Sequence, residues 1–145
     1  TECPAGAISL KGWEPNVIAD EIKNALIELK NKTPKTLILA CSYHITSWSE
    51  YNDITNNSNV KLLWLICTNR LSELEMLKVF ENGADKLVIV TCPEGECRYN
   101  NGHQWIQKKV VRVKKFLNEL GIGEDKLAIY PYSKEIKEKW NEIIQ

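Results

Sequence analysis

Four cysteines fall where chemistry needs thiols grouped. Cys41 closes the apolar run "TLILAC", Cys67 closes "VKLLWLIC" and Cys92 closes "DKLVIVTC". Cys97 stands five residues further on, in the loop "PEGECRYNNG". Thiolates bind zinc and iron–sulfur clusters, and a close pair is also a dithiol–disulfide couple. A single buried cysteine behaves as a small hydrophobe. That reading weakens when three successive apolar runs each stop at a cysteine. The intervals are 26 (41 to 67), 25 (67 to 92) and 5 (92 to 97). Structural zinc sites usually draw ligands from tight C-x2–4-C pairs. A switch made of Cys92 and Cys97 would leave Cys41 and Cys67 without a role. The residues favour a metal centre and leave a four-cysteine zinc site, a [2Fe–2S] cluster and a Cys92/Cys97 thiol–disulfide switch open.

The elements must bring these thiols together. "PNVIADEIKNALIELK" places Ile18, Ile22, Ala25, Leu26 and Leu29 at helical spacing, with Pro15 in the first turn. Residues 36–41 read as a strand. The polar stretch 42–59 has room for one short helix. Residues 60–67 are a second strand. Ser72 and Glu75 form a capping-box pattern for a helix to about Asn82, and Gly83 suits its left-handed end. Residues 85–92 are a third strand. The clearest helix spans 103–120, with Ile106, Val110, Val113, Phe116, Leu117 and Leu120 as its apolar stripe. "KLAIYPY" is a fourth strand. "SKEIKEKWNEIIQ" is a closing helix with Ile136, Trp140, Ile143 and Ile144 inward.

Strands that are apolar throughout and alternate with helices predict a three-layer, doubly wound α/β domain with a mainly parallel sheet of about four strands. Ligands of such sheets sit beyond the carboxyl ends of the strands, near a switch in strand order. Neighbouring strands lie roughly 5 Å apart, so four thiols can converge there.

Composition narrows the partners. The chain has 145 residues, enough for one core without disulfide support. Nineteen basic and nineteen acidic side chains cancel, which leaves no footprint for nucleic acid. No apolar run approaches the roughly 18 residues of a membrane span. Five cysteines are an odd number, which argues for a reducing, cytoplasmic setting over a disulfide framework. No Ser–His–Asp pattern, phosphate loop or H-E-x-x-H occurs.

The segments "ACSY", "ICTNR", "FENGADKLVIVTCPEGECRYNNGH" and "LNELGIGEDKL" resemble the delta subunit of methyl-viologen-reducing hydrogenase over about residues 36–130. The resemblance implies an electron-transfer module carrying one [2Fe–2S] cluster on Cys41, Cys67, Cys92 and Cys97. It further implies partners: a hydrogenase or formate dehydrogenase on one side, and the flavin subunit of heterodisulfide reductase on the other. The sequence departs from the family at Ile38, where an additional cysteine is common. It departs again at Asn69 for glycine, Pro93 for histidine and Glu96 for aspartate. "CPAGAISLKG" resembles the end of a ferredoxin motif, so residues 1–13 read as the tail of a preceding ferredoxin-like segment and 14–145 as the delta-type domain. Cys3, without companion cysteines, is not counted as a ligand.

With the cluster at the sheet edge, Gly95 supplies the unusual dihedrals of the loop. Arg70 and Arg98, three and one residues from Cys67 and Cys97, are candidates to stabilise the anionic cluster, and the helices starting near Ser72 and His103 aim positive ends at it. His44 and His103 lack the spacing of cluster ligands. Trp64 reads as core, and packing is the first expectation for Trp48, Tyr99 and Trp105, with shielding of the cluster or a docking surface as the alternative. The Lys/Arg face of helix 103–120 reads as solvated.

Overall fold

The chain is described by a computed structural model over residues 11, 14–45 and 48–144. The apolar runs become four parallel strands: β1 (Thr36–Cys41), β2 (Val60–Leu65), β3 (Lys86–Thr91) and β4 (Leu127–Pro131). They lie in the order β2-β1-β3-β4. Parallel neighbours need crossover connections. Helices α2 (Trp48–Thr55), α3 (Glu73–Glu81) and α4 (Gly102–Glu119) supply them, while α1 (Pro15–Glu28) precedes β1 and α5 (Lys134–Glu138) and α6 (Trp140–Ile144) follow β4.

Successive side chains of a strand point to opposite faces, and here both faces are covered. Leu37 and Leu39 of β1, with Leu87 and Ile89 of β3, meet α1, α3 and α4 through residues such as Ile22, Met76 and Val110. Ile38, Ala40, Val88 and Val90 meet Ile54 of α2 and the four inward residues of α5 and α6. This is the expected three-layer α/β architecture. The four expected core residues within α1 are buried, and so is Leu29, which caps its end. The capping box of α3 is present, with Ser72 N donating to Glu75 Oε2 at 2.7 Å and Glu75 N to Ser72 Oγ at 3.1 Å. Gly83 follows it at φ 87.

Three expectations need correction. The ladder of β2 stops at Leu65, so Cys67 lies two residues past the strand, before a 3-10 turn, Thr68–Arg70. The closing helix is two short ones. The chain turns at Lys139 (φ −104, ψ 13), and Trp140 donates its indole N–H to the buried Glu50 at 3.4 Å. The stripe of α4 is narrower than read. Ile106, Val110, Val113 and Leu117 are buried, while Phe116 and Leu120 flank the contact and stay exposed.

From β1 the chain crosses to β2 on one side, then to β3 on the other. The carboxyl ends of β1 and β3 therefore flank the switch point. Among the described residues no helix is long and apolar enough to cross a membrane.

Candidate metal centre

Strand register sets the first thiol pair. Ala40 of β1 faces Val90 of β3, so Cys41 and Cys92 leave neighbouring strands side by side. Their sulfurs are 3.4 Å apart. On the other flank of β1, Leu65 is the partner of Cys41. The chain continues through Ile66, whose carbonyl accepts from the Cys41 thiol at 3.8 Å, to Cys67. Arg70 N then donates to Cys67 O at 3.1 Å and closes the turn.

The second pair forms against α4. Glu96 N donates to Pro93 O at 3.2 Å, and Gly95 takes φ 80, so the loop doubles back and returns Cys97. Gly102, the first residue of α4, then faces two thiols. A Cβ there would lie 3.1 Å from Cys97 Sγ and 3.4 Å from Cys67 Sγ. Cys92 also lies against Cys97, so the pairs adjoin. All four cysteines carry free thiols. Cys41 and Cys92 are thus in contact, Cys97 adjoins Cys92, and Cys67 and Cys97 both face Gly102. Among the described residues no group of three or more His, Cys, Asp or Glu side chains is arranged to hold a metal ion.

Burial pushes the Cys41 and Cys67 thiols up, and raises Cys92 further, with Cys41 and Cys97 beside it adding to the effect. Thiolates this close repel and are poorly solvated, so Cys41, Cys67 and Cys92 hold their protons more firmly than free thiols. A bound cation must displace them.

The surroundings fit an anionic guest. Asn69 Oδ1, Arg70 Nε and both ring nitrogens of His103 are buried without hydrogen-bond partners. Asn69 and Arg70 belong to the turn after Cys67, and His103 follows Gly102. Buried polar atoms are almost always paired. Arg70 Nε–H and the His103 ring N–H are orphan donors near the thiols in the chain, and with the amino end of α4 they match the donor needs of a sulfur cluster; Asn69 Oδ1 is an acceptor and takes no part in that fit.

Two cationic clamps hold the loops. Arg98 is exposed, stacks 5.0 Å over the Tyr43 ring and donates to its hydroxyl, which joins the loop after Cys97 to the segment after Cys41. Lys109 Nζ donates to Asn69 O (2.9 Å) and Leu71 O (3.0 Å), which ties the Cys67 turn to α4. Arg112 pairs with Glu73 at 2.6 Å. The basic face of α4 is thus partly engaged, where a solvated face was expected.

The sequence reading missed Lys109 and Gly102. Only the glycine left a signal, a poor helix former at a helix start in "NNGH". It also misjudged Tyr99 and Trp105, which are 53% and 55% exposed. Trp105 points off the buried stripe, with the Lys108 ammonium 4.5 Å over its ring. Trp64 packs on Tyr51 as expected, at 4.8 Å. His44 stacks on Tyr132 at 5.6 Å. Cys3 and the Trp48 side chain lie outside the described residues.

Comparison with known proteins bears on the same region. Over 73 residues the chain is 33% identical to the iron-sulfur subunit of the vhu F420-non-reducing hydrogenase of Methanocaldococcus jannaschii, covering 50% of this chain and 54% of that one. It is 30% identical over 69 residues to the iron-sulfur subunit of the vhc F420-non-reducing hydrogenase of Methanococcus voltae, 48% of each chain. The chain thus spans about half the length of these relatives. It is also 23% identical over 124 residues to one subunit of the ferredoxin:CoB-CoM heterodisulfide reductase of Methanosarcina mazei, 83% of this chain but 16% of that one. The sequence model of the family described as "Methyl-viologen-reducing hydrogenase, delta subunit" matches residues 37–145, a stretch that takes in all four thiols of the centre. The chain belongs to the family of the methyl-viologen-reducing hydrogenase delta subunit.

Proposed function

We propose that this domain is an electron relay holding one [2Fe–2S] cluster on Cys41, Cys67, Cys92 and Cys97. The observation that carries the reading is four thiols, from the carboxyl ends of β1 and β3, the turn after β2 and the loop after β3, gathered beside the switch point. A two-iron cluster takes its four protein ligands two to an iron.

When bound, the cluster supplies one-electron chemistry. The chain does the rest. The four thiols give up their protons and become ligands. Arg70 and the amino end of α4 offset the negative charge that reduction adds, which raises the potential. The strands and helices hold the ligands in place, so little reorganises on electron transfer. No side chain here is assigned bond-making chemistry.

The names of the relatives point to partners of two kinds, a hydrogenase and a heterodisulfide reductase, and the domain would pass electrons between them. A formate dehydrogenase in place of the hydrogenase is a further proposal, resting on the family resemblance. An ultraviolet–visible spectrum of anaerobically purified protein tests the cluster. Broad visible bands that bleach with dithionite support it. A colourless protein with stoichiometric zinc overturns it.

A further inference from the structure

Gly102 has no backbone reason to be glycine. The glycines at positive φ are Gly83, Gly95, Gly121 and Gly123, and Gly102 is not among them. Glycine is a poor helix former, so a glycine that opens a helix without a positive φ asks for another reason. Its neighbours supply the reason. An added Cβ would stand 3.1 Å from Cys97 Sγ, inside ordinary contact, and 3.4 Å from Cys67 Sγ, at its near edge. Asn69 Cβ follows at 3.7 Å.

The helix side of this contact is not free to yield. Ile106, Val110 and Val113 fix α4 in the core. Lys109, two turns along the same helix, holds the Cys67 turn by two carbonyls. A methyl group at 102 therefore has to move sulfur. We propose that Gly102 is the positioning residue of the centre: its missing side chain lets the amino end of α4 close on Cys67 and Cys97 and keep those two sulfurs as one ligand pair, separate from the Cys41–Cys92 pair. The inference rests on the four-thiol cluster reading above.

The test uses the full chain with Gly102→Ala and Gly102→Val. Unliganded protein is melted, and reconstituted protein is exposed to an iron chelator. A purely structural glycine predicts that Gly102→Ala melts at or above the parent temperature and keeps its iron equally well. The positioning role predicts the first result without the second. Iron release from Gly102→Ala should be about tenfold faster, and Gly102→Val faster still. Release at the parent rate in Gly102→Ala overturns the proposal.

A second measurement covers the case in which both variants fail to fold. A trivalent arsenical that bridges two thiols is added to the unliganded parent chain, and the bridged peptides are mapped. Cys41–Cys92 and Cys67–Cys97 bridges are expected. Dominant Cys92–Cys97 or Cys41–Cys67 bridges overturn the pairing. This map needs no cluster. A parent chain that takes up no iron refutes the cluster reading, while the bridges still decide the pairing.

Discussion

The sulfurs of Cys41 and Cys92 stand 3.4 Å apart although 51 residues separate them. The contact joins the ends of the two central strands, whose register is fixed along their length. Cys92 and Cys97 are close in sequence, but one of them rides on a loop. Oxidising the unliganded chain with diamide should therefore give a Cys41–Cys92 disulfide first. Burial has raised both thiols, so the reaction should be slow near neutral pH and faster in alkali. Non-reducing peptide mapping decides the matter. An initial Cys92–Cys97 product would contradict the geometry and revive the loop switch.

Alkaline stability follows from the same burial. Cys41, Cys67 and Cys92 are raised above 9.0, and burial with the bond to Glu50 lifts Tyr132 from 10.0 to about 12. For each group the unfolded chain loses its proton at lower pH than the folded chain. The stabilisation is whole below pH 9 and disappears as pH climbs through the folded values. The melting temperature of the unliganded chain should be flat near neutrality and fall from about pH 9 upward. In Tyr132→Phe the part of that fall between pH 10 and 12 should shrink. A midpoint that rises in this range would refute the assignment.

The two arginines near the thiols should separate. Arg70 buries its Nε without a partner in the Cys67 turn. Arg98 is exposed and spent on Tyr43. Arg70→Gln should lower the cluster's potential by tens of millivolts, on the order of 1 kcal/mol. Arg98→Gln should leave the potential nearly unchanged. Potentiometric titration of the reduced-state signal measures both. Equal shifts would show that exposure does not rank these charges.

Lys109 is the clamp of the Cys67 turn. Lys109→Met keeps the aliphatic stem and removes both bonds to Asn69 O and Leu71 O. The cost should be about 1–3 kcal/mol in unfolding free energy. Hydrogen exchange should quicken over residues 67–71 while the β1–β3 ladder stays protected. Uniform loss of protection would mean that the lysine supports the whole fold.

Much of this was legible in the chain. Continuous apolar runs gave the strands because both sheet faces are covered, and their terminal cysteines marked the edge. Cys67 was placed two residues early because "VKLLWLIC" stays apolar past the last ladder pair. Phe116 and Leu120 looked buried since a stripe drawn on hydrophobicity alone is wider than the contact it serves. The break at Lys139 was hidden because Trp140 turns toward Glu50, a residue 90 positions away. Gly102 and Lys109 acquire their roles only from what faces them. Nothing in "NNGH" names two sulfurs, and nothing in a run of cations says which one reaches a carbonyl.

The most direct test of the central claim is iron per chain and the reduced-state electron paramagnetic resonance signal in Cys67→Ala, reconstituted beside the parent. Cys67 lies far in sequence from the Cys92–Cys97 loop and sits at the α4 contact with Cys97. The account predicts a parent with iron and labile sulfide in equal amounts and a signal on reduction, and a mutant that loses both. A Cys67→Ala chain that keeps full iron and an unchanged signal would contradict the four-cysteine cluster.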